Sequence, residues 1–264
     1  MKKVIKFFLI LIMLVPMVVR ADVYEVNNTD IILDLDDSWQ VFFRENIKDN
    51  KKLEELGVSY EYMFNFFNQN DNVFIDAITL TDSDYIELLV YKERVNDITN
   101  LSLYEKDELR EYAKEVSESR GCDTSGIISL ESNYNNETTN YIKCTRIDSG
   151  KYLYEYITVV NNDLYLLQFQ KDNNYTDSDI EIADHAIKNI HFNVKRRVDK
   201  EDQVIKNFKS KDDSVLVHAL LGALGGALIG GISASVIYFI KKKSNNNNNN
   251  DNSNNNDNNE NNNS

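Results

Sequence analysis

The sequence predicts an α+β fold with a mostly antiparallel sheet and packed helices, followed by a single transmembrane helix and a disordered tail. Three observations predict it. Between residues 22 and 193, runs of period two alternate with runs of period 3.6, the marks of strands and amphipathic helices. From Val215 to Ile240, twenty-six residues pass without a formal charge, ending at Lys241, Lys242 and Lys243. After Ser244, the last twenty residues contain fifteen Asn.

In chain order, residues 1–21 read as a signal peptide. Lys2, Lys3 and Lys6 form a basic start, Phe7 to Val19 is an apolar run, and Val19 and Ala21 suit a cleavage site before Asp22. Thirteen apolar residues are short for a span. If uncleaved, the segment becomes an N-terminal anchor with its lysines inside. Either way the α+β domain, 22–193, is exported.

Ile31 to Leu35 and Trp39 to Phe43 read as short strands around the turn Asp36-Asp37-Ser38. Asp49 or Asn50 caps a short helix carrying Leu53 and Leu56 before Gly57. A second helix follows Ser59, with Tyr60, Met63, Phe64 and Phe67 at i, i+3, i+4 and i+7. Val73 to Thr79 and Tyr85 to Tyr91 predict a hairpin. Ser102 with Glu105 fits a capping box ahead of a helix whose stripe is Leu109, Tyr112, Ala113 and Val116.

Four strand-like runs come next: Ile127–Glu131, Thr139–Ile147, Tyr152–Val160 and Leu164–Gln170. Their short spacers predict consecutive antiparallel pairing. Ser178 with Glu181 fits a second capping box, and the helix behind it shows Ile180, Ala183, Ile187 and Ile190. The order ββ-α-ββ-α-ββββ-α is an α+β pattern.

Residues 194–213 form a charged linker or stalk. Residues 214–240 form the transmembrane helix: about 20 apolar residues at 1.5 Å rise cross a hydrocarbon layer of about 30 Å. Residues 241–264 are a basic stop followed by the Asn-rich tail, too poor in apolar groups to offset chain entropy. The expected location is the cell membrane, single-pass, with the large domain outside and the tail in the cytoplasm. One signal opposes this orientation. Seven Lys/Arg lie between Val194 and Asp213 against three after the span, which alone would place the domain inside. The leader takes precedence because the first segment usually sets orientation.

Charge excludes one partner class. The chain carries −14, and Asp22 to Asp213 carries −18 (22 Lys+Arg against 40 Asp+Glu). Such a surface repels phosphate backbones, so nucleic acid is not expected as a partner. The partners expected are the lipid bilayer through 214–240, an extracytoplasmic ligand, and a second copy of the chain.

The self-association expectation rests on Gly222, Gly226 and Gly230 at four-residue spacing, continued by Ala234. Small residues on one face let helix backbones approach closely in lipid. Gly and Ala are also common in spans that do not pair. Both readings stand.

Cys122 and Cys144 are the only cysteines. An even pair in an exported domain predicts one disulfide, with two free buried thiols as the alternative. No catalytic, cofactor or metal site is expected. His185 and His191 lie six apart, unlike i, i+4 zinc spacing, and His218 lies at the mouth of the span. Asp34/Asp36, Asp82/Asp84 and Asp177/Asp179 lack the Gly and distal Glu of an EF-hand. Tyr152, Tyr154 and Tyr156 share one sheet face, either as a binding surface or beneath a helix. A hydrolase site built from scattered carboxylates is the alternative to a binding domain.

The element order resembles the PsbP/DcrB-like fold over about Val23 to Val194. The residues that carry it are the Asp36-Asp37-Ser38-Trp39 entry to the second strand, the helical segment LEELGVSYEYMFNFF, and the closing HAIKNIHFNV. The resemblance implies an exported or envelope-associated domain with an accessory or binding role and no shared catalytic centre. It supplies no functional residue. The C-terminal span and Asn-rich tail depart from the soluble or lipid-anchored members.

Overall fold

The computed structural model describes residues 22–194, apart from 82–83, 96–97 and 133. Within them the chain forms ten strands, four α-helices and one 3₁₀ turn. The strands are β1 (Asp22–Glu25), β2 (Ile31–Leu35), β3 (Trp39–Phe42), β4 (Val73–Leu80), β5 (Tyr85–Arg94), β6 (Thr124–Glu131), β7 (Thr138–Asp148), β8 (Lys151–Val160), β9 (Asp163–Lys171) and β10 (Ile190–Phe192). The helices are α1 (Lys51–Glu55), α2 (Tyr60–Gln69), α3 (Lys106–Arg120) and α4 (Asp177–Lys188). Among these elements no helix is long and apolar enough to cross a membrane. The leader, the 194–213 linker beyond Val194, the 214–240 span and the tail lie outside the described residues.

Seven strands form one antiparallel sheet in the order β3-β4-β5-β9-β8-β7-β6, and β1-β2-β10 form a second. Both faces of the large sheet are covered. The helices α1, α2 and α3 pack on one face around Met63, Phe67, Leu89 and Val116. The small sheet and α4 pack on the other around Leu33, Trp39, Phe169 and Ile187. Burial on both faces leaves the central strands no exposed side: every residue of β9 is buried, its polar Asp163, Gln168, Gln170 and Lys171 included.

The expected α+β class and antiparallel meander are present. Two-residue loops join β7 to β8 and β8 to β9, two residues and one residue shorter than the gaps between the expected strands. Ser149 and Gly150, and then Asn161 and Asn162, take positive φ. Paired left-handed residues match the twist of the flanking strands.

Several local expectations are corrected. The turn Asp36-Asp37-Ser38 joins two strands as expected, and those strands do not pair with each other. It passes the chain from the small sheet to the edge of the large one, where β3 pairs with β4. Asn50 rather than Asp49 caps α1, accepting from the Lys52 amide at 3.0 Å. In α2 the buried face is Met63, Phe66 and Phe67, while Tyr60 and Phe64 are exposed. Arg44 sets that rotation by donating to the carbonyls of Phe67 at 2.8 Å and Asn70 at 3.0 Å.

Both capping boxes are displaced. Leu101 is buried and draws Ser102 into the 3₁₀ turn, so α3 starts later, with Glu108 accepting from the Glu105 amide at 2.9 Å. At α4 the box is Thr176 with Asp179, because the Asp179 carboxylate is also held by Lys171 at 2.8 Å. Ile190 belongs to β10, not to α4.

Candidate functional site

An open groove of about 540 Å³ runs between α3 and the edge strand β6. Lys106, Arg110 and Lys114 line it from the helix, and Ser125, Gly126 and Ile127 from the strand. The three cations sit at i, i+4 and i+8, which places them in one row along α3. The adjoining stripe of the same helix, Leu109, Tyr112, Ala113 and Val116, is buried, and Ala113 also lines the groove, so the cation row runs along its margin. Arg110 meets Asp107 at 2.7 Å and Lys114 meets Glu118 at 3.9 Å, all four well exposed. Exposed pairs of this kind bind weakly and exchange with other anions.

Two devices hold α3 where it makes the groove. Cys122, just past the helix, and Cys144, inside β7, stand at disulfide distance, Sγ to Sγ 1.99 Å and Cα to Cα 5.5 Å. Beside them Arg120, the last residue of α3, is only 6% exposed and donates twice to Glu155, from Nε at 2.9 Å and Nη2 at 2.6 Å. Arg146 adds a second cation, Nη2 to Oε1 at 3.2 Å, and also binds Asp148 at 2.6 Å. The hydrogen bond from Arg146 holds the Asp148 carboxyl below its ordinary value, against a smaller opposing effect of burial.

No protein-family model matches the chain, and no curated relative does. A solved structure is similar to it. That structure is cyanobacterial PsbP (CyanoP) from Synechocystis sp. PCC 6803, at 9% identity and a TM-score of 0.37, covering 68% of this chain and 96% of that one.

Two of the three tyrosines of β8 are covered, and Tyr152 is half-buried. Tyr154 and Tyr156 are buried beneath α4, and both hydroxyls donate to Asp184, Tyr154 at 3.2 Å. Lys143 closes this cluster, its Nζ 4.5 Å from the Tyr154 ring centroid and 3.7 Å from Asp184. Burial first, and then the Asp184 carboxylate, push the Tyr156 phenol far up, so it stays protonated. Two acids of the sequence pairs, Asp84 and Asp179, serve structure in the same way. Asp84 and Asp179 converge on Lys171, at 3.6 and 2.8 Å. Burial alone would raise the Asp179 carboxyl, but the Lys171 and Thr176 hydrogen bonds outweigh it and hold the group low. Among the described residues no group of three or more His, Cys, Asp or Glu could hold a metal ion.

The histidines part company. His185 lies on exposed α4 near Asn189, whereas His191 is buried in β10. His191 Nδ1 lies 3.1 Å from Ser132 Oγ, and Tyr134 stacks on its ring at 6.2 Å. Desolvation lowers the His191 pKa, against an opposing pull from Asp34. Ser132 and His191 are both under a tenth exposed, so this pair is a packed contact without an approach for substrate. Sequence reading missed it because 59 residues separate the partners. It missed the groove too, although the Lys106/Arg110/Lys114 repeat was a usable signal. Gly222, Gly226, Gly230, Ala234, His218 and Asp82 lie outside the described residues.

Proposed function

We propose that this is a single-pass membrane protein whose acidic α+β domain works outside the cytoplasm as a binding module, not an enzyme. The observation that carries the reading is the Cys122–Cys144 pair at bonding distance in a chain that begins with a leader. Disulfides persist in oxidising compartments and are rare in the cytosol. The uncharged run within 214–240 supplies the membrane anchor, with the Asn-rich tail on the cytoplasmic side. Gly222, Gly226, Gly230 and Ala234 give that anchor a face for pairing with a second copy.

Binding rather than catalysis is supported by the chemistry of the α3–β6 groove. It offers three cations, the hydroxyls of Ser117 and Ser125, one carboxylate, Glu118, and strand backbone, a lining rich in donors and positive charge that suits holding an anionic group. The test is fractionation of cells with thiols trapped at lysis. The full-length chain is expected in the membrane fraction, released only by detergent, and resistant to alkylation until reductant is added. Recovery from washed cytosol with two reactive thiols overturns the reading.

A further inference from the structure

We propose that the α3–β6 groove takes an extended acidic segment of a partner protein, added as a strand to the free edge of β6; this rests on the reading of the domain as a binding module. Among the described residues β6 pairs with β7 alone, so its other edge presents unpaired amides and carbonyls. Strand addition to such an edge gives affinity through main-chain hydrogen bonds and specificity through alternate side chains.

The spacing of the cations selects the side chains. Along a helix, residues four apart are separated by about 6 Å. Along a strand, side chains on one face recur every 6.6 to 6.8 Å or so. A strand laid beside β6 with acidic residues at alternate positions therefore meets Lys106, Arg110 and Lys114 nearly in step. Three cations line the groove; Arg110 and Lys114 each have an exposed acid beside them, Asp107 and Glu118, in weak pairs that an incoming carboxylate can displace. Screening over about 8 Å at physiological salt confines the repulsion from the more distant acids of the domain.

The test is titration of the full-length protein in detergent with fluorescent eight-residue peptides. The probes are alternating Glu/Val, alternating Lys/Val, alternating Ser/Val, and alternating Glu/Val with every second amide N-methylated. Only the unmodified acidic peptide is expected to bind well. The triple variant Lys106→Glu/Arg110→Glu/Lys114→Glu, which changes only exposed side chains, should lose about tenfold or more in affinity. Equal binding of the Ser/Val or Lys/Val peptide overturns the charge match. Equal binding of the N-methylated peptide overturns strand addition in favour of a generic polyanion surface. Failure of every peptide, or a change in oligomeric state of the triple variant without peptide, overturns the inference. Those results leave the fractionation result untouched, so the broader reading fails or stands separately.

Discussion

Arg120 and Glu155 form a two-pronged ion pair in which Glu155 is fully buried and Arg120 nearly so. Glu155 stands opposite Cys144 in the β7–β8 register, and Arg120 stands two residues before Cys122. One spot thus ties the end of α3 to the sheet by a covalent link and a charge pair. Everything the groove presents depends on that anchorage.

Removing one partner of a buried ion pair leaves the other charge stranded, at a cost of about 3 to 5 kcal/mol. Glu155→Ala strands both Arg120 and Arg146 and is expected to destabilise in that range. The double variant Arg120→Met/Glu155→Leu should recover part of the loss, because two apolar side chains need no partner. Urea denaturation of the three proteins measures both. Equal losses in the single and double variants would show that packing, not charge, makes the contact.

The Cys122–Cys144 link spans 22 residues and encloses β6. Constraining an unfolded loop of that length contributes about 3 kcal/mol. Cys122→Ala/Cys144→Ala should lower stability by that order and raise hydrogen exchange in β6 before the rest of the sheet. Uniform exchange across the sheet would contradict the local anchoring role.

The sequence carried the middle of the fold well and its ends poorly. Hairpin β4–β5 and the meander β6 to β9 are sequential pairs with alternating apolar residues and short polar turns, so local signals suffice. Strands β1 and β10 have four and three residues and pair with β2, from opposite ends of the domain. No period emerges from so few residues, and Ile190 continued the helical spacing of Ile187 by coincidence. The small sheet was therefore invisible. Cys122 and Cys144 were legible as a pair from their number and from the expectation of export. The four-residue repeat of Lys106, Arg110 and Lys114 was legible as a row on one helix, but the groove itself was not, because only tertiary packing sets that row beside a strand edge.

Two glycines should respond oppositely. Gly121 ends α3 at φ +66°, a left-handed conformation that a Cβ disfavours. Gly121→Ala should cost about 1 kcal/mol. Gly126 has ordinary strand geometry with open space around it, so Gly126→Ala should be neutral or stabilising by up to about 1 kcal/mol. Thermal melts of the two variants check the contrast. A destabilised Gly126→Ala would mean that a neighbour restricts the β6 backbone.

Acid should destabilise the domain in two stages. His191 is less basic folded than its ordinary 6.5, so the unfolded chain takes up that proton first. Stability tied to neutral His191 is complete above about pH 6.5 and is lost as pH falls through the folded value. Asp148 and Asp179 lie below their ordinary 3.8, so their contribution is complete above that value and lost as pH falls further. Melting temperature should decline below pH 6.5 and again below pH 4 or so. His191→Gln should flatten the first decline and leave the second, and an unchanged first decline would assign it to other groups.

The central claim is the position of the domain, and protease treatment of intact cells tests it most directly. With one tag inserted after the leader and another at the C-terminus, the first is expected to disappear on protease addition while the second survives until the cells are lysed. Survival of the first tag with loss of the second, or protection of both, contradicts the account.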